Sequence, residues 1–223
     1  MIKLLCITDL HGEAVQLANI GRAAGPCHAV LFGGDITNFG SPDEAAELIE
    51  TARQFAPDVW AVAGNCDSAA IDARLAQLGV GLNGRGVERD GLGLYGLSGT
   101  PPWRSRMYEF SEDELAAALD AGRAALNGVP LPNVVLAHVP PYGCRCDRTL
   151  LLQHIGSHAV RRHVETHRPT LVVCGHVHEA RGTDSLGTTL VVNCGPARKG
   201  YYAVVELDPR DPTAPPQVRL EKA

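Results

Sequence analysis

Five short apolar runs, each ending in or followed at once by Asp, Asn or His, constrain this sequence more than any other feature. The runs are IKLLCIT (2–8), HAVLFGG (28–34), DVWAVAG (58–64), NVVLAH (133–138) and TLVVCGH (170–176). Runs of this length, separated by stretches with helical periodicity, are typical of buried strands in an α/β domain. Three further strand-like runs occupy 188–193, 200–207 and 217–221. We therefore predict one domain over residues 1–223, an α/β sandwich.

The polar residues that terminate the five runs form a set with the chemistry of metal ligands. They are Asp9, His11, Asp35, Asn65, His138, His176 and His178. Ligands bind at the carboxyl ends of strands in open α/β sheets, and residues i and i+2 of an extended chain point the same way. The D-x-H and H-x-H pairs can therefore each present two ligands to one side. A single Asp or His after a strand is usually a turn residue, but seven at five strand ends indicate a metal site.

These residues resemble the pattern of the calcineurin-like metallophosphoesterases, which is D-x-H, G-G-D, G-N-[HC]-[DE], a lone His and G-H-x-H. The matching blocks are Asp9-Leu-His11, Gly33-Gly34-Asp35, Gly64-Asn65-Cys66-Asp67, His138 and Gly175-His176-Val177-His178. The resemblance implies a sandwich of two mixed β-sheets flanked by helices. It also implies two divalent metal ions, one held by Asp9, His11, Asp35 and His178, the other by Asp35, Asn65, His138 and His176. The shared Asp35 would bridge them, and the mixed donors suit Mn, Fe, Zn, Co or Ni.

The resemblance further implies hydrolysis of a phosphoric ester, in which a hydroxide bridging the two metals attacks phosphorus in line. Many family members carry His at the position of Cys66, where it assists the leaving group. A thiol, with a pKa of about 8.5, is a poorer acid and a weaker hydrogen-bond donor. Members with Cys here look like phosphodiesterases more often than efficient monoesterases. We therefore expect the substrate to be a small phosphodiester or a cyclic nucleotide.

Asn65, Cys66 and Asp67 are the expected catalytic residues, with Asp67 orienting its neighbours. A nucleophilic Cys66 is the weaker alternative, because no His partner lies beside it in the sequence. Two other functions stay open. A phosphomonoesterase or protein phosphatase would use the same metal centre, whereas some relatives of this fold, such as a retromer subunit, are interaction scaffolds. A scaffold is expected to lack ligands, and this sequence retains all seven, which favours an enzyme.

Residues outside the motifs are less specific. Arg198 is a candidate phosphate ligand, with an exposed surface charge as the equal alternative. The stretch PPWRSR (101–106) is either a substrate-side loop or, as the better interpretation, a structural one. We interpret Cys144-Arg-Cys146 as part of a loop with no metal rather than as a third metal site, because C-x-C alone supplies too few ligands. His163 and His167 are one helical turn apart, and we predict that both are exposed on a helix.

Net charge and composition indicate which classes of binding partner to expect. The net charge of −5 gives no general signal for nucleic-acid binding. No run approaches the roughly 18 apolar residues of a membrane span. The seven scattered cysteines contain no C-x-x-C pair and fit a reducing compartment. We therefore expect a soluble cytoplasmic protein that acts on a small phosphoester, and the sequence predicts no oligomeric state.

Overall fold

The computed structural model describes residues 1–103, 107–126, 132–211 and 213–223. Its strands are β1 (Ile2–Ile7), β2 (Ala29–Gly33), β3 (Asp58–Val62), β4 (Gly86–Arg89), β5 (Leu92–Leu97), β6 (Asn133–Ala137), β7 (Leu171–Cys174), β8 (Gly182–Leu186), β9 (Thr189–Asn193), β10 (Tyr201–Leu207) and β11 (Gln217–Lys222). Its α-helices are α1 (Ala14–Ala24), α2 (Pro42–Ala52), α3 (Ala69–Gln77), α4 (Glu112–Ala124) and α5 (His158–His167).

The strands form two mixed sheets, which confirms the predicted sandwich. The first has the order β11-β10-β1-β2-β3, with β1, β2 and β3 parallel and the last two strands of the chain antiparallel beside them. The second has the order β4-β5-β6-β7-β9-β8, with antiparallel pairs at its two edges and parallel pairs between them. The sequence did not predict β8, because this edge strand is mostly polar and alternates between half-buried and exposed positions.

Alternation along the strands builds a core on each face of each sheet. In β1, Leu4 and Cys6 face the layer between the sheets, whereas Leu5 and Ile7 pack under the helices of the first sheet. A third cluster lies between the second sheet and helices α4 and α5. Side chains on successive residues of a strand point to opposite faces, so a buried sheet needs an apolar residue at almost every position. That requirement explains the continuous apolar runs in the sequence.

Serine caps begin α2 and α3, the helices that follow the polar ends of β2 and β3. The Ser41 hydroxyl accepts a hydrogen bond from the Glu44 amide at the start of α2, where Pro42 occupies the first turn. Ser68 caps α3 directly after the Asn65–Asp67 loop. Such caps satisfy amides that have no partner within the helix. They therefore fix where two of the site loops end and the adjacent helices begin.

The prediction that His163 and His167 are exposed is wrong. His163 is only 6% exposed, because its side of α5 faces Tyr95 of the second sheet, and His167 is half-buried. Cys144 and Cys146 are both buried, and the Cys144 thiol donates to the Pro141 carbonyl at 3.0 Å. Within the described ranges, no helix combines the length and apolar character needed to cross a membrane.

Candidate metal centre

The loops after β1 and β2 lock together and carry the first three predicted ligands. The Asp9 amide donates to the Gly34 carbonyl at 3.0 Å, and the His11 amide donates to the Asp35 carbonyl at 2.9 Å. Asp9, His11 and Asp35 have φ values of 55°, 52° and 49°, in the left-handed region that side-chain-bearing residues rarely adopt. The interlocked amides hold this unusual backbone in place.

The extended-chain explanation for the D-x-H and H-x-H pairs is therefore wrong. Asp9 and His11 both have left-handed backbone, His176 has φ 65°, and His178 begins a short 3₁₀ helix. The side chains converge because these turns aim them at a common point. Strained backbone of this kind is concentrated at functional sites.

Asp35 lies at the middle of the converging side chains. Its Oδ2 lies 3.7 Å from Nε2 of His11, and its Oδ1 lies 3.5 Å from Nε2 of His138. The Cys66 amide also donates to Oδ1 at 2.7 Å. Burial raises the pKa of Asp35 to about 6, although the charge of His138 opposes the shift. Each carboxylate oxygen thus faces a different imidazole.

Asn65 joins the two histidines that follow β6 and β7. Its Oδ1 lies 3.0 Å from Nε2 of His138 and 2.8 Å from Nδ1 of His176. The other His138 nitrogen, Nδ1, lies 2.9 Å from the Gly33 carbonyl, which can only accept, so Nδ1 carries a hydrogen. Burial favours the neutral imidazole, but the charges of Asp35 and Asp9 outweigh it and raise the pKa of His138. When Nε2 loses its proton on metal binding, its lone pair is directed toward Asn65 and Asp35. Such a carbonyl contact is the usual means of orienting a metal-binding histidine.

Asp9, His11 and His178 form the other part of the cluster. Nε2 of His178 lies 3.1 Å from Asp9 Oδ1, and the His176 amide donates to the same carboxylate. Burial tends to raise the pKa of Asp9, but the hydrogen bond from His178 and the charge of His138 lower it well below its usual range. Asp9 is therefore a carboxylate at neutral pH.

Within the described ranges, both ring nitrogens of His11 are buried without a hydrogen-bond partner. Burial also lowers the pKa of His11 to about 4, so its imidazole is neutral and keeps an unused lone pair. Buried polar atoms in proteins are nearly always satisfied, and a neutral imidazole is the form that binds metal. One donor atom from each residue comes within 4.8 Å of the other two in the sets Asp9–His11–His178, Asp9–Asp35–His138 and His11–Asp35–Cys66. The residues present therefore fit divalent metal ions.

The chain of contacts described above brings all seven predicted ligands together. Asp67, by contrast, lies behind them. Its carboxylate accepts hydrogen bonds from the amides of Gly64, Ile36 and Thr37 and from the Thr37 hydroxyl, at 2.8–3.0 Å. Burial raises the pKa of this carboxyl, and these hydrogen bonds oppose the shift. Asp67 ties the Asp35 loop to the Asn65 loop, so its place is that of a positioning residue.

Cys66 lines the cleft beside the cluster and is 8% exposed. Its thiol accepts a hydrogen bond from Nδ2 of Asn65 at 3.4 Å. Burial, followed by the nearby charge of Asp35, raises the pKa of the Cys66 thiol, so the thiol stays protonated. This environment is the opposite of the electropositive surroundings that activate a nucleophilic cysteine.

The cleft has a volume of about 360 Å³ and includes walls that the motifs did not reveal. These additional lining residues are Trp103, Met107, Thr149, Ile155, Val177 and Glu179. The Trp103 ring makes an edge contact with His176, with centroids 5.9 Å apart. Trp103 thus lines the cleft, which favours the substrate-side interpretation of 101–106. Residues 104–106 of that stretch lie outside the described ranges. The sequence signal for this wall was an aromatic residue after two prolines.

Arg198 lies close to the cluster through its backbone. Its amide donates to the Asp9 carbonyl at 3.2 Å, and its side chain is exposed. Its charge helps to lower the pKa of His11, after the larger effect of burial. Arg198 is not among the described residues that line the cleft, so a phosphate-binding role stays a prediction.

Comparisons with known proteins agree with this geometry. A family model for calcineurin-like phosphoesterases matches residues 2–180. An uncharacterized protein of Methanocaldococcus jannaschii is 29% identical over 90% of both chains, and a UPF0046 protein of Caenorhabditis elegans is 28% identical over 89% of this chain and 71% of its own. The crystal structure of TT1561 from Thermus thermophilus shares the fold, with a TM-score of 0.73 at 18% identity over 99% of this chain and 98% of that one. The chain therefore belongs to the calcineurin-like phosphoesterase family, which hydrolyses phosphoesters with divalent metal ions.

Proposed function

We propose that this protein is a phosphodiesterase that acts on small diesters or cyclic nucleotides with two divalent metal ions. The observation that carries the proposal is the convergence of two carboxylates, one amide and four imidazoles on a cleft in which a thiol lies where an imidazole would assist the leaving group. When bound, two such ions activate a water molecule and neutralise charge on the phosphate oxygens.

The arrangement of Asp35 supports a two-metal site with a shared carboxylate. Its Oδ2 is directed toward His11 and its Oδ1 toward His138, so each oxygen serves a different group of ligands. Asp9 and His178 would complete the set on the His11 side, and Asn65 and His176 the set on the His138 side. Mixed carboxylate, amide and imidazole donors suit Mn, Fe, Zn, Co or Ni.

The proposed preference for diesters rests on which side chains in the cleft could donate a proton to the leaving group. Among the described residues that line the cleft, the histidines are His11, His176 and His178, and all three belong to the proposed ligand sets. The thiol of Cys66 is a poorer acid than an imidazole near neutral pH. The departing oxygen would therefore receive little help from the protein. That matters least for a diester with a good leaving group, or for a cyclic nucleotide, in which ring opening itself releases strain.

The cleft walls also suit an ester with organic groups on both sides of phosphorus. Trp103, Met107 and Ile155 add apolar surface directly beside the donor cluster. Binding sites of small ligands typically combine apolar walls with a few placed polar groups. We also propose a cytoplasmic location, which is supported by seven free, buried thiols.

The test compares Mn²⁺-loaded wild type, Cys66→His and Asp35→Asn on bis(4-nitrophenyl) phosphate and 4-nitrophenyl phosphate. We expect the wild type to hydrolyse the diester faster and Asp35→Asn to lose both metal and activity. A second substrate series, aryl methyl phosphates of increasing phenol pKa, reports the need for an acid. Cys66→His is expected to gain most on the poorest leaving groups, by a factor of about 10² if the introduced imidazole acts as a general acid.

Three results would contradict the proposal. Faster monoester than diester hydrolysis by the wild type would remove the diester preference. An equal gain of Cys66→His on every leaving group would show that position 66 does not act on the departing oxygen. Normal metal content and activity in Asp35→Asn would remove the metal-dependent mechanism itself.

A further inference from the structure

A second cluster of metal-binding side chains lies on the outer side of the second sheet, away from the cleft. His163 and His167 are four residues apart on α5, so they lie on one face of that helix, and Asp120 faces them from α4. One donor atom from each residue lies within 4.8 Å of the other two. The imidazole centroids are 4.6 Å apart, and Nδ1 of His163 lies 3.6 Å from Asp120 Oδ1. None of the three lines the cleft.

Tyr95 holds the central histidine of this cluster in place. Its hydroxyl lies 2.9 Å from Nε2 of His163, and the tyrosine is fully buried. Burial raises the pKa of the Tyr95 hydroxyl, so it stays neutral. In the tautomer in which this hydroxyl accepts a hydrogen bond from Nε2, Nδ1 has a lone pair for a metal ion on the side of Asp120 and His167. A metal-binding histidine is usually oriented by such a contact at its other ring nitrogen.

The two imidazoles of the cluster are in the neutral form that binds metal, and they lie beside one carboxylate and two arginines. Burial lowers the pKa of His163 to about 4, and it also lowers the pKa of His167. Both histidines are therefore available as ligands at neutral pH without first losing a proton. Arg123 on α4 and Arg162 on α5 are the nearby cations, and the Asp120 carboxylate opposes their charge.

The cluster also lies where a bound ion would connect two helices. At their first turns, Glu112 of α4 accepts hydrogen bonds from the Ser157 hydroxyl and from the amides of His158 and Ala159. Asp120 lies about two helical turns further along α4. In the described ranges, the core between α4 and α5 is apolar, through residues such as Leu119 and Val160. A metal ion would add a second polar connection between the helices.

We propose that Asp120, His163 and His167 form a zinc-type metal site that links α4 to α5. Two imidazoles and one carboxylate favour Zn²⁺ and its neighbours Co²⁺, Ni²⁺ and Cu²⁺ over Mg²⁺ or Ca²⁺. Three protein ligands leave a coordination position for water. The site borders a surface hollow of about 310 Å³, which gives an ion access from solvent.

The test measures how many zinc ions the full-length protein binds per chain. Metal-free wild type, His167→Gln, Asp120→Asn and the control His158→Gln, on the same helix, are dialysed against micromolar ZnCl₂ and analysed by atomic emission. We expect His167→Gln and Asp120→Asn each to retain one zinc fewer per chain than the wild type, and His158→Gln to retain the same number. Both test residues are at least partly exposed, so these variants should fold, which circular dichroism checks.

A second measurement follows the melting temperature with and without ZnCl₂. Because the site joins two helices, zinc should raise the melting temperature of the wild type and His158→Gln more than that of the two ligand variants. Equal zinc content in all four proteins would overturn the proposal. So would the same loss of zinc in His158→Gln as in His167→Gln.

Discussion

Replacing Asp67 by Asn tests whether the metal loops depend on a carboxylate that does not face the cleft. Asp67 accepts hydrogen bonds from three amides and one hydroxyl, two at each oxygen. Asparagine keeps one acceptor oxygen and places an NH₂ group against two of these donors. Each buried donor left without a partner costs about 1–3 kcal/mol, so the free energy of unfolding should fall by roughly 2–6 kcal/mol. Affinity for the cleft metals should fall about 10- to 100-fold, because these contacts hold ligand loops.

Urea unfolding of the metal-free protein measures the first effect, and Mn²⁺ titration of the folded protein measures the second. Asp72→Asn is the matched control, because Asp72 accepts side-chain hydrogen bonds from Asn83, Ser98 and Tyr108, none of which is a predicted metal ligand. It should lower stability without weakening Mn²⁺ binding. The reasoning is refuted if Asp67→Asn binds Mn²⁺ as tightly as the wild type, or if both variants weaken binding equally.

Three other predictions concern the same cleft. Gly64→Ala would place a methyl group 2.2 Å from Asp35 Oδ1, so it should cost about 1–3 kcal/mol of unfolding free energy and reduce metal content; wild-type values for both would contradict the packing argument. Trp103→Ala should raise KM for aryl diesters about 3- to 10-fold, the equivalent of losing an aromatic contact of roughly 0.5–1.5 kcal/mol. KM for methyl esters should change little. An equal rise in KM for both substrates in steady-state kinetics would exclude an aromatic contact. Burial holds the pKa of His11 at about 4 and that of His176 at about 3 in the metal-free protein, so the unfolded chain binds more protons below pH ~6.5. Acidification from pH ~6.5 to ~4 should therefore lower the unfolding free energy, partly offset by the raised pKa values of Asp35, Asp67 and His138. Urea titrations in which stability rises over this range would contradict the prediction.

The fold could be predicted from the sequence wherever burial demanded continuous apolar residues. β1, β2, β3, β6 and β7 lie between other strands of their sheets or are packed on both faces, so their composition reveals them. β8 is an edge strand with polar residues, and local composition does not distinguish it from a loop. His163 shows a similar limit, because the spacing to His167 defines a helical face but does not say what packs against it.

The convergence of the seven candidate ligands was predicted because each ends an apolar run, and the carboxyl ends of neighbouring parallel strands meet. The remaining walls of the cleft could not be found in this way. Trp103, Thr149 and Ile155 come from segments between the motif blocks, and their position depends on how those segments cross the sheet edge. No local pattern of residue types encodes such a crossing.

The backbone of the site explains why the seven candidate ligands converge although the extended-chain argument for two of their pairs is wrong. Left-handed conformation costs a residue with a side chain on the order of 1–3 kcal/mol, and Asp9, His11, Asp35 and His176 all adopt it. An extended D-x-H segment would need no such strain, so a sequence argument has no reason to expect it. The strained turns persist because the first two loops exchange amide hydrogen bonds and because the His176 amide is bound to the Asp9 carboxylate. The donor cluster is consequently organised by the backbone itself, and a bound metal would enter a site whose geometry the interlocked loops already impose.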